Sequence, residues 1–145
     1  MANSASGIQI TTDVINQHNS FRQRNTNQNR YIMYKLSDDF TEVVVAEKGP
    51  TSHNWSDFVS ALPKDHCRYA TVLYEYQKGN DGERAKIVFV LWTPDNAPSK
   101  EKMLFASTKN TVKQNLQGIN IAIQATDIDE AEEDIVKEKC NKFSR

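Results

Sequence analysis

Residues 87–92, IVFVLW, are consecutive apolar side chains. Successive side chains of a strand point to opposite faces, so an unbroken apolar run requires cover on both sides of the sheet. The rest of the chain must supply helices above and below this strand. The run is also far shorter than the ~20 apolar residues that cross a bilayer, and no other stretch is more hydrophobic, so no transmembrane segment is expected.

The flanking pattern provides those helices. Ile15, His18 and Phe21 at helical spacing behind a capping Thr11 or Thr12 predict a first helix, followed by a solvated polar loop, 22-RQRNTNQNR-30. Tyr31 to Leu36 and Thr41 to Ala46 read as strands of a hairpin turning through Ser37, Asp38, Asp39 and Phe40. Lys48, Gly49 and Pro50 should end the second strand, with a short helix around Trp55 to Ala61 closed by Pro63. Cys67 to Gln77 reads as a strand, 79-GNDG-82 as a turn and Lys86 to Trp92 as the next strand. A long helix within 97–118 stops at Gly118, and Ile119, Ile121 and Ile123 alternate as one more strand. A last helix is expected from about Asp129 to Phe143.

Strand, long helix, strand is a crossover unit, whereas the earlier strands are joined by short turns. The expectation is an α/β fold with one mixed sheet between helices, in a single domain spanning 8–145 behind a flexible polar tail, 1–7.

Charge and cysteines narrow the function. With 18 Lys+Arg against 19 Asp+Glu, nothing global points to nucleic acid. Cys67 and Cys140 have neither metal-ligand nor redox spacing, and MANSASGIQI has no secretion signal, so a cytoplasmic setting with free thiols is expected. No enzyme is expected either. His66 and Cys67 are neighbours on a strand and point to opposite faces, His53 has no second ligand at metal spacing, and no phosphate-cradling Gly-rich loop occurs. Neither a cofactor nor a metal is implied. The acidic run 127-DIDEAEED-134 fails the calcium-loop pattern, lacking the central glycine and carrying Ala131 where an acceptor is needed, and reads as a solvated helix start.

The long helix carries the binding signal. Pro98 suits its first position, and Leu104, Thr108, Val112 and Leu116 predict an inward stripe. Lys109 and Lys113 each fall within about 20° of Lys102, one on either side, and the three predict an outward ridge. Lys100 and Lys102 stand near the positive end of the helix dipole, which costs a few tenths of a kcal/mol each. Met103 and Phe105 beside them are expected near the surface, as at an interface. Lysines around an apolar centre point to an acidic protein partner.

The stretch 92-WTPDNAPSKEKMLFASTK-109, with 65-DHCRYA-70 before it and 124-QATD-127 after it, resembles the actin-depolymerising factor/cofilin family. The resemblance runs from Ser6 nearly to the C-terminus. It implies a five- or six-stranded mixed sheet sandwiched by helices, and a protein of the cytoplasmic actin cytoskeleton that binds monomeric and filamentous actin, severing and depolymerising filaments. Carried over by motif, Ser6, Gly7, Ile8, Lys100, Lys102, Met103, Ser107 and Lys109 would touch the monomer and the filament, with Lys113 further along the same helix. Arg84, Lys86, Glu138, Lys139 and Lys142 would engage only the filament. Ser6 would be the phosphorylated switch, with Ser4 as a substitute because five residues precede Ser6. The same lysines would hold anionic inositol phospholipids, and the protein would act as a monomer. The competing readings are a relative that binds filaments without severing and a lipid-surface adaptor using the same basic helix.

Overall fold

The IVFVLW run lies in the middle of a six-stranded sheet. In a computed structural model that describes residues 7–23, 27–77 and 82–143, the chain forms β1 (Gln9–Ile10), α1 (Thr12–Arg22), β2 (Asn29–Leu36), β3 (Glu42–Pro50), α2 (Trp55–Ala61), β4 (Arg68–Gln77), β5 (Glu83–Trp92), α3 (Ser99–Asn115), β6 (Ile121–Ala125) and α4 (Glu133–Phe143). A 3₁₀ turn, Ile128–Ala131, precedes α4. The strand order is β1-β3-β2-β4-β5-β6. Only the β1–β3 and β5–β6 pairs are parallel, so the sheet is mixed, and β6 follows β5 through α3.

Alternation along β5 divides the core in two. Val88, Val90 and Trp92 pack with Trp55 and Phe58 of α2 and Val136 and Cys140 of α4. Ile87, Phe89 and Leu91 pack with Val14 and Phe21 of α1 and Phe105 and Val112 of α3. Both faces are therefore covered, as the unbroken run requires. Burying each such side chain is worth about 1.5–3 kcal/mol, which makes this strand the axis of the fold.

Two parts of the β2–β3 region depart from expectation. Strand β3 runs on through Lys48, Gly49 and Pro50 instead of stopping before them. The Tyr31 ring lies against Gly49, where any Cβ would collide with it, so this glycine permits close packing across β2 and β3. Pro50 is tolerated because β1 pairs only with Glu42 and Val43. Among the described residues, the outer edge of β3 beyond them has no strand neighbour that needs the missing N–H. Strand β1 itself was not expected, since two residues show no periodicity.

The last helix is also divided. The Asp127 carboxylate accepts the Glu130 N–H at 3.0 Å, and the Glu130 carboxylate turns back to accept the Thr126 N–H at 2.9 Å and its hydroxyl at 2.6 Å. The Trp55 indole N–H donates to the Ala131 carbonyl at 2.7 Å. That tertiary bond occupies a carbonyl at the end of the 3₁₀ turn, and α4 begins afresh at Glu133.

Candidate functional site

Helix α3 is held to the body of the protein along its length. The inward stripe is Phe105, Thr108, Val112 and Leu116, all buried, while Leu104 is only half-buried. Spacings of three, four and four follow the 3.6-residue period more closely than repeated fours, which is why Phe105 is inside and not at the surface as expected. Its ring lies 4.6 Å from that of Tyr69, whose hydroxyl donates to the Phe105 carbonyl at 2.6 Å. At the far end, the His18 Nε2 lies 2.6 Å from the Gln117 carbonyl and ties α3 to α1.

The N-terminal end has its own fastening. Pro98 occupies the cap position, one residue before the expected place, and offers no side-chain cap. Glu101 supplies the negative charge that the helix start favours and accepts the Cys67 N–H at 2.6 Å. His66 Nδ1 lies 3.2 Å from the same carboxylate. Cys67 is buried in the core, where burial and then the Glu101 charge push its thiol up to about 12, so it is no nucleophile.

The two lysines that oppose the dipole each have a partner. The Lys100 ammonium stands 5.2 Å from the centroid of the Phe40 ring, a cation–π contact of about 0.5–1 kcal/mol at an exposed site. The Lys102 ammonium donates to the Asp95 carbonyl at 3.2 Å. These contacts offset a placement that otherwise costs a few tenths of a kcal/mol. Phe40, at the β2–β3 turn with a positive φ of 59°, is thus more than the turn residue its sequence position predicts, because it meets Lys100 only in the folded chain.

The outermost line of α3 is not the lysine ridge. Lys102 and Lys109 are half-buried at one flank, and Lys113 is exposed. Met103, Ser107 and Asn110 face solvent, with Met103 at 62% exposure. The Ser107 hydroxyl stays on the helix, donating to the Leu104 carbonyl at 3.2 Å. Exposed methionine between an exposed Lys100 and a flank of lysines gives a flexible apolar contact in a cationic frame.

The N-terminal segment reaches this end of the molecule through the β2–β3 turn. Gln9 N–H donates to the Thr41 carbonyl at 3.0 Å, next to the Phe40 that lies under Lys100. Gly7 is exposed, whereas Ile8 is buried in the core shared with α3, so Ile8 anchors the segment from inside and only Gly7 is presented at the surface among these two. Ser4 and Ser6 lie outside the described residues.

Arg84, Lys86 and α4 form a second group on the opposite face of the sheet. Arg84 and Lys86 share the parity of Val88 and pair across β4 with Tyr76 and Tyr74. The Lys86 charge partly opposes the burial that pushes the Cys140 thiol up to about 11, placing this β5 lysine near α4. Lys139 is half-buried and donates to the Ala122 carbonyl at 3.4 Å, while Glu138 and Lys142 are exposed. Residues 79–81 of the expected turn 79-GNDG-82 lie outside the described residues.

A rigid helix presenting Met103 and lysines on one face, with a charged strand–helix surface on the other, is what the comparisons with known proteins address. The family model for cofilin/tropomyosin-type actin-binding protein matches residues 7–141. The chain belongs to the cofilin family of actin-binding proteins. It is 42% identical over 137 residues to actophorin of Acanthamoeba castellanii, covering 94% of this chain and 97% of that protein. It is 38% identical to cofilin of Mycosarcoma maydis, over 95% of this chain and 97% of that one. The crystal structure of Streptomyces griseoflavus cofilin superimposes with a TM-score of 0.83 at 30% identity, covering 94% of this chain and 98% of the other. The cofilin fold is thus present, with the six-stranded version of the expected sheet. Among the described residues, no helix is long and apolar enough to cross a membrane.

Proposed function

We propose that this protein binds monomeric and filamentous actin and severs and depolymerises filaments, without catalysing a chemical step. The observation that carries the reading is the exposure of Met103 on α3, beside Lys100 and Lys102, in a chain of the cofilin family. An acidic cleft with an apolar floor would bury the methionine and pair the ammonium groups. Gly7, Ser107 and Lys109 extend that contact, with Ile8 anchoring the segment that carries Gly7, and with Ser6 preceding it in sequence.

Arg84, Lys86, Glu138, Lys139 and Lys142 make the second contact, which only a filament offers. Their location on the other face of the sheet from α3 supports contact with two subunits by one molecule. Binding two adjacent subunits favours whichever filament twist fits both surfaces, and only that difference in affinity can weaken subunit contacts. A monomer needs the α3 surface alone.

Control follows from charge. Phosphate on Ser6, or on Ser4, adds about −1.5 to −2 charge beside an acidic partner and opposes docking. Anionic inositol phospholipids compete for Lys100, Lys102 and Lys109. The working form is a monomer in the cytoplasm, on the actin cytoskeleton.

Imaging of single fluorescent filaments tests the reading. Breaks per unit length should rise on addition of the protein, together with faster loss of subunits. Filaments that become decorated yet keep their length would show binding without severing.

A further inference from the structure

We propose that the apolar groove between α2 and the 3₁₀ turn is a docking site for a basic segment of another protein, held by one apolar anchor and flanking Lys or Arg. The groove encloses about 330 Å³ and is lined by Trp55, Val59 and Ile128 with Glu132 and Asp134 at its edge. Ile128 is 54% exposed, one of two large apolar side chains left in solvent among the described residues, and the other, Met103, belongs to the α3 surface. An exposed Ile128 beside a groove wide enough for an aliphatic side chain gives the apolar contact.

The charge around it selects the partner. Six of the eight residues in 127-DIDEAEED-134 are acidic and none is basic. Glu130 is engaged with Thr126, and Glu133 accepts the Tyr74 hydroxyl at 2.9 Å. Asp129, Glu132 and Asp134 are exposed. The acidic edge is therefore oriented by internal bonds at two positions and presented at three others. A Lys- or Arg-rich segment complements it and gains on-rate from the same field. An acidic or purely apolar partner does not.

The site is separate from the α3 surface of the reading above and does not rest on that reading. It lies on the opposite face of the sheet from α3. On α4 it adjoins the proposed filament surface, because Glu138 stands four residues beyond Asp134, about 6 Å along the axis. A basic partner can therefore be held while the α3 surface is occupied.

The test uses the full chain without actin. The probe is a fluorescein-labelled 16-residue peptide with three leucines on one helical face and six flanking lysines, followed by anisotropy and by NMR of the Trp55 indole N–H. The expected result is saturable binding that shifts the indole signal and weakens at least tenfold in Ile128→Ser and in Glu132→Lys/Asp134→Lys. A peptide with its leucines changed to serine should bind at least tenfold more weakly. Asp13→Lys, on α1, should leave affinity unchanged. Near-UV circular dichroism should match wild type for every variant, since the altered side chains are exposed. Absence of binding, or equal affinity for all variants, overturns the proposal. So does loss that follows charge alone with Ile128→Ser unaffected. A shift of the same signals by calcium chloride, with the peptide inactive, assigns the acidic run to cations and also overturns it.

Discussion

The Glu101 carboxylate, in the first turn of α3, accepts the backbone N–H of Cys67, the residue just before β4, at 2.6 Å. One side chain thereby fixes where the helix begins and how Lys100, Lys102 and Met103 are aimed. Loss of the carboxylate should therefore affect both stability and binding. Glu101→Ala leaves a partly buried N–H unpaired and should destabilise the protein by about 1–3 kcal/mol in urea unfolding. Glu101→Gln keeps an acceptor and should cost less than the alanine variant.

Met103 separates binding from folding. At 62% exposure it has little packing to lose, so Met103→Ala should change stability by less than about 0.5 kcal/mol. The same variant should weaken monomer binding at least about fivefold, as an interface anchor does. Equal affinity, measured by anisotropy with labelled monomer, would remove Met103 from the contact.

His18 makes stability pH-dependent. Burial holds its pKa below the ordinary value, the bond to the Gln117 carbonyl acts in the opposite direction, and Arg22 adds to the lowering. The unfolded chain therefore takes up the proton first, at about pH 6.5. Stability should be fully present above that pH and fall as pH drops below it. His18→Gln retains an N–H donor for Gln117 and should show a shallower fall between pH 7.5 and 5.5. Asp39 and Glu130, whose hydrogen bonds hold their carboxyls below the usual range, do not titrate in this window. Urea midpoints across that window measure the difference.

Gly49 is required by contact, not by an unusual turn. Tyr31 is buried and its ring packs 5.3 Å from that of Phe58, so it has little room to retreat from a new methyl group. Gly49→Ala should destabilise by about 1–3 kcal/mol through overpacking. Thermal unfolding of the variant against wild type measures it.

The strands were legible where periodicity or composition was strong. IVFVLW announced β5 and the two covered faces, and the alternating isoleucines announced β6 beyond a crossover helix. What remained hidden depends on contacts distant in sequence. Phe105 is drawn inside by Tyr69, Pro50 stays in β3 because β1 is too short to need its N–H, and the Trp55–Ala131 bond divides the final helix. On α3, the sequence places Lys100, Lys102 and Met103 together, and the dipole conflict marks the lysines as unusual. Neither Phe40 under Lys100 nor Glu101 on Cys67 is visible in a linear pattern, because each joins residues 34 or more apart in favourable three-dimensional register.

The central claim is that α3 is needed for binding both forms of actin whereas the β5–α4 surface is needed only for filaments. The direct measurement is filament co-sedimentation beside monomer binding, for wild type, Lys100→Ala/Lys102→Ala and Arg84→Ala/Lys86→Ala. Wild type should bind both forms of actin, the first double variant should lose both, and the second should keep the monomer while losing the filament. A wild-type protein that neither pellets with filaments nor binds monomers would contradict the account, as would an α3 double variant that binds both as wild type does.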